Sequence, residues 1–168
     1  IEKTLAAKGT LVAEAGTGIG KTLAYLVPVL LSGQRTIIST GTKTLQDQVF
    51  YRDLPVVAAA LGINVRSALL KGRQNYLCLY RMQRTREEGD LPTREAVGEL
   101  EALRPWAART PDGDLTVSAV VSEDSGLWPL VTSTTDNCLG SECPFFDDCF
   151  VVKARQKAQQ ADIVVVNH

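Results

Sequence analysis

The chain has 168 residues, enough for a domain with a buried core. Its 45% apolar and 22% charged residues are the make-up of an ordinary soluble globular protein, and no stretch approaches the roughly 18 consecutive apolar residues of a membrane span. The net charge of −1 does not advertise nucleic acid, although local basic patches suffice for a protein that grips it.

In chain order, Ile1-Glu2-Lys3 lacks both an initiator Met and the charged-then-apolar pattern of a signal peptide. Residues 9–14 read as a short buried strand and residues 15–20 as a glycine-rich turn. Residues 21–31 read as a buried helix that Pro28 kinks or stops early, closed by Ser32-Gly33. A second strand is expected over 35–39. Thr40-Gly41-Thr42 follows as a turn with capping hydroxyls, then a long helix over 43–61 and a third strand over 65–70. Strand and helix alternating with short links signify a parallel sheet. The pattern returns only at residues 162–166. Between lie expected helices over 75–86 and 93–109, a turn-rich stretch over 112–135, a loop over 136–149 and a helix over 150–161. Residues 71–158 therefore read as an insertion in an α/β domain made of residues 1–70 and a return strand within 159–168. Val166-Asn167-His168 follows an apolar run without a closing element, so both ends read as cut.

Ala15-Gly16-Thr17-Gly18-Ile19-Gly20-Lys21-Thr22 lies between an expected strand and an expected helix, the context of a P-loop. Glycines let successive N–H groups turn inward onto phosphate oxygens, and the helix start adds its positive dipole end. Lys21 is placed to reach the β- and γ-phosphates of ATP, and Thr22 to ligate the Mg²⁺ that bridges them. The strict pattern has Gly where this chain has Ala15. By itself the motif says nucleotide and Mg²⁺, not kinase, GTPase or motor.

Cys78, Cys138, Cys143 and Cys149 give the spacing C-x59-C-x4-C-x5-C. Cys78 is expected on a helix and the other three in a loop. So few, unevenly spaced cysteines argue against a secreted disulfide framework and for metal. Structural zinc usually shows two short pairs; one lone cysteine with a group of three favours a 4Fe–4S cluster. Zinc, and unliganded or disulfide-bonded cysteines, stay open on spacing alone. Asp136, Glu142, Asp147 and Asp148 would not favour an anionic cluster and read as a solvated face.

Taken together, these motifs resemble the XPD/DinG family of superfamily 2 helicases, closest to its bacterial DinG/YoaA branch. Residues 14–22 resemble helicase motif I, residues 39–48 motif Ia. Lys71-Gly72-Arg73-Gln74-Asn75-Tyr76-Leu77-Cys78 resembles the family's approach to its cluster domain; the three later cysteines with residues 162–168 resemble the return. Family members commonly carry Thr where this chain has Ile19. The resemblance implies an α/β, RecA-like P-loop NTPase sheet with a mainly helical four-cysteine iron–sulphur insertion, Cys78, Cys138, Cys143 and Cys149 ligating a 4Fe–4S cluster. It also implies an ATP-dependent DNA helicase moving 5′ to 3′ on single-stranded DNA and opening forked duplexes in repair or recovery from replication damage. Its place would be the bacterial cytoplasm, at the nucleoid, with other repair or replication proteins as possible company. The alternative is a P-loop ATPase or phosphotransferase with a zinc-stabilised insertion.

Thr40 and Thr42 should lie at the carboxyl edge of the sheet, where their hydroxyls would bond DNA phosphates, cap the next helix, or do both. Residues 71–86 carry Lys71, Arg73, Arg81, Arg84 and Arg86 with Tyr76 and Tyr80 interleaved, a pattern suited to phosphates and unpaired bases or to a solvated helix face. Of these, Arg73 and Tyr76 are the expected DNA contacts. Lys153, Arg155 and Lys157 read as surface. His168 offers no catalytic signal, although a supporting role at the strand edge fits its position.

Overall fold

A computed structural model describes residues 1–16 and 18–167. The elements in chain order are α1 (Glu2–Ala6), α2 (Lys21–Ser32), β1 (Thr36–Thr40), α3 (Lys43–Gln48), α4 (Leu54–Leu61), β2 (Ser67–Leu70), α5 (Leu79–Glu88), α6 (Arg94–Ala107), α7 (Trp128–Val131), α8 (Phe150–Gln160) and β3 (Ile163–Asn167). The chain forms two compact units, one of residues 1–70 with 157–168 and one of residues 71–156.

The first unit is built on a parallel sheet of order β1-β3-β2, so the last strand in sequence is the central one. A strand covered on both faces reads as an unbroken apolar run, and β3 is Ile-Val-Val-Val-Asn. On one face Ile163 and Val165 join Leu26, Val29 and Leu30 of α2 with Leu54 and Val57 of α4. Those α2 positions recur at i, i+3 and i+4, one helical face. On the other face Val164 packs with Ala68, Ala158 and Ala161.

Several local expectations need correction. Residues 9–14 are not a strand, and Val12 is 92% exposed. A strand needs a neighbour to take up its backbone N–H and C=O groups, and among the described residues none pairs with this segment. Pro28 does not stop α2, which runs on to Ser32 and closes at Gly33. The 43–61 helix is one run, but it widens to a π-helical turn at Val49–Asp53, where the Leu54 N–H bonds the Val49 carbonyl. Pro55 explains this: it has no N–H to give, and its ring crowds the carbonyl four residues back.

In the second unit α5 packs against α6 and α7. Leu100 and Leu103 of α6, Val131 of α7, and Leu77, Leu115 and Leu127 beside them are buried. The expected helix over 75–86 begins only at Leu79. A short 3₁₀ turn at Arg73–Asn75 and extended backbone at Tyr76 and Cys78 come first. The extended stretch is held from outside: the Leu77 N–H donates to Gly113 O (2.8 Å) and the Cys78 N–H to Val131 O (2.8 Å). Those bonds replace the ones a helix would have offered.

Candidate functional site

The glycine-rich turn keeps the features that the motif needs at its helix. Gly20 precedes α2 with φ 84°, in the left-handed region that a side chain would strain. Among the described residues no side chain caps α2, which leaves its first N–H groups without a side-chain partner. The Lys21 ammonium folds back over the loop and donates to Ala15 O (2.7 Å) and Gly16 O (3.0 Å). The Thr22 side chain is hydrogen-bonded to Tyr25, whose phenol is pushed upward chiefly by burial. Ala15, Gly16, Gly18 and Ile19 are described here; Thr17 and His168 lie outside the described residues.

At the carboxyl edge of the sheet the two threonines part company. Thr42 is exposed and caps α3, its hydroxyl accepting from the Leu45 N–H (3.1 Å). Thr40 is buried, and its hydroxyl faces Val166 O (3.1 Å) and Thr42 O (3.2 Å). That hydroxyl, an expected DNA contact, bonds backbone carbonyls of its own unit. The Asn167 amide donates to Thr40 O (3.1 Å), and Gln46, fully buried, donates to Leu70 O and Val165 O (3.0 Å each). The ends of all three strands are thereby tied to motif Ia. A lone Gln among helix residues gave no sign of this in the sequence.

In the second unit, Tyr76 is 3% exposed, and its hydroxyl accepts from the Lys71 N–H (3.0 Å). The ring of Tyr76, an expected DNA contact, is packed inside the second unit. Lys71 is buried as well. Its ammonium pairs with Asp114 (2.9 Å) and donates to the Thr116 hydroxyl (2.7 Å). The partner lies 43 positions away, so the basic run in sequence gave no hint of it.

All four cysteines line one cavity of about 110 Å³, and Arg73 lies on its wall. All four thiols are free. Arg73, an expected DNA contact, is half-buried there. Cys78 precedes α5 and Cys149 precedes α8, so two of the sulphurs sit where helix dipoles favour a thiolate. Burial pushes the Cys78 thiol up; the Arg81 N–H opposes this, and the nearby Cys149 and Cys143 add to it. Gly113, at φ 66°, lies against Phe150, the residue after Cys149, and a Cβ there would fall within the ring. Among the described residues no group of three or more His, Cys, Asp or Glu side chains is arranged to hold a metal ion.

Comparison with known proteins adds a second line. Residues 1–86, just over half the chain, match the DEAD/DEAH box helicase family. The chain belongs to the DEAD/DEAH box helicases. Within that family it is 58% identical, over 94% of its length, to the ATP-dependent DNA helicase YoaA of Escherichia coli. It is 49% identical over its whole length to the YoaA of Haemophilus influenzae, and 38% identical over 94% to the ATP-dependent helicase DinG of Mycobacterium tuberculosis. It spans about a quarter of the length of these relatives. Among the described residues of this DEAD/DEAH box helicase, no helix is long and apolar enough to cross a membrane.

Proposed function

We propose that this chain is the ATP-binding and iron–sulphur part of a DNA helicase that moves 5′ to 3′ on single-stranded DNA. Its work is unwinding forked duplexes during repair and recovery from replication damage, in the bacterial cytoplasm at the nucleoid. The observation that carries the reading is a phosphate loop and a four-thiol cavity in one chain of the helicase family.

Residues 15–22 hold ATP: the loop and α2 N–H groups take the phosphate oxygens, and Thr22 takes Mg²⁺. Lys21, now bonded to loop carbonyls, swings to the β- and γ-phosphates. Thr42 meets a DNA phosphate, a reading that its exposure at the sheet edge supports.

Cys78, Cys138, Cys143 and Cys149 hold the 4Fe–4S cluster. Their cavity is several-fold larger than the ~10–15 Å³ that one water-sized body fills. A zinc ion would need its sulphurs drawn in to about 2.3 Å from one centre. When bound, the cluster joins chain segments that are far apart in sequence and so holds the second unit together.

The test uses the full-length protein purified without oxygen. About four iron and four sulphide per chain, with broad absorption near 400 nm, are expected. Lys21→Ala should weaken ATP binding by about tenfold or more, since a charge-assisted contact contributes ~1.5–3 kcal/mol, and should abolish unwinding of a 5′-tailed fork. One zinc per chain, or a Lys21→Ala variant that still unwinds, would overturn the reading.

A further inference from the structure

We infer that Arg155 tunes the four-thiol site: its guanidinium offsets the negative charge of the thiolate-bound cluster and raises that cluster's reduction potential. This rests on the proposed cluster and adds a role that the sequence alone did not suggest.

The wall of the cavity carries only two full charges, Arg73 and Arg155, both positive. The acidic residues of the cysteine loop, Asp136, Glu142, Asp147 and Asp148, are not part of it. Asp148 is taken by Lys153 (3.0 Å), the other basic residue early in α8. Among the described residues neither Arg73 nor Arg155 has a side-chain ion pair or hydrogen bond.

The geometry of α8 accounts for the placement. Val151, Val152 and Arg155 all line the cavity, and spacings of three and four residues put them on one helical face. Arg155 lines the cavity beside the valines and is itself exposed to solvent, as a long basic side chain at a cavity's edge can be. Lys157 does not line the cavity. In the sequence, basic residues at every second position of a helix simply looked solvated; the apolar pair at 151 and 152 was the signal.

The charge argument fixes the sign. Four thiolates around a 4Fe–4S core of charge 2+ leave a net charge of −2, and one added electron makes it −3. A nearby cation stabilises the more negative state more, so the potential rises; removing the cation lowers it. The added electron comes from the reductant of the titration through its mediators, and no proton is transferred.

The experiment is a redox titration of the full-length, anaerobically purified protein against mediators, reading the fraction of reduced cluster. Variants are Arg155→Gln, Arg155→Glu and Arg155→Lys, with Lys157→Gln as control on the same helix. Iron, sulphide and zinc are counted first. At the wild-type midpoint, Arg155→Gln should lower the reduced-to-oxidised ratio by about three- to tenfold, tenfold corresponding to 59 mV for one electron. Arg155→Glu should lower it further, and Arg155→Lys and Lys157→Gln should leave it near wild type. Fully loaded Gln and Glu variants that titrate with wild type, or a Lys157→Gln shift of equal size, would overturn the inference. Where the Gln and Glu variants lose iron, retention by Arg155→Lys with wild-type circular dichroism supports the charge role, and equal loss by Arg155→Lys overturns it. A wild type without iron removes the cluster reading itself, whereas a loaded wild type with unmoved variants removes only the role of Arg155.

Discussion

Asp162 stands where β3 begins, and Arg66 just before β2 meets both of its oxygens. The Arg66 N–H and Nε donate to Oδ2 (3.1 Å each), and Nη2 donates to Oδ1 (2.8 Å). These bonds hold the carboxyl down at about 2, well below the usual aspartate value. A depressed folded-state value means stability that is present above the unfolded value of about 3.9 and lost as pH falls through about 2. Asp162→Asn should therefore lower the urea midpoint at neutral pH, and the gap to wild type should close between about pH 4 and pH 2. A gap independent of pH would show that the ion pair is not what aligns the two strands. At this scale the sequence was most informative where chemistry is local. The glycine before Lys21 and the hydroxyl of Thr42 do what their neighbours demand. It was least informative at Tyr76 and Thr40, whose burial is decided by residues far away in the chain.

Elements whose apolar spacing is set by one packing face were legible. They include α2, the 43–61 run, α6, and β3 as the buried strand. The start of α5 was not, because Leu77 and Cys78 exchange helix bonds for bonds to Gly113 and Val131, which no local pattern announces. The strand expected at 9–14 failed for the same reason in reverse: its apolar Leu-Val-Ala run suits a buried strand, but among the described residues it has no partner. The same long-range logic governs the stretch before α5. Lys71 and Asp114 are a buried pair, their side chains 1% and 4% exposed, and Tyr76 bridges Asp114 in antiparallel fashion. Removing one partner of such a pair strands a buried charge at a cost of about 3–5 kcal/mol, whereas replacing both is often near neutral. Lys71→Met should therefore lower unfolding stability by about that much. A Lys71→Met/Asp114→Leu double variant should recover most of it in guanidinium titration. A single variant with wild-type stability would mean that the pair is solvated in solution.

The whole chain is two compact units, and they draw on different sources of order. The first is held by a three-stranded parallel sheet with apolar residues on both faces of its central strand. The second has short helices, long irregular stretches and four thiols around one cavity, an arrangement in which the proposed cluster supplies much of the cross-linking. Local opening follows local interactions, so stripping the cluster should not act evenly. Removing iron by oxidation and chelation, then following amide hydrogen exchange, should strip protection from the Leu77 and Cys78 N–H groups and from α5, whose first residues follow Cys78. The amides of β3, paired on both edges and buried at Ile163 and Val165, should exchange as slowly as before. Equal loss in both units would mean that they unfold together and that the cluster stabilises the entire chain. No loss in either would mean that the thiols are held by packing alone, and that the cluster is seated in a site already rigid without it.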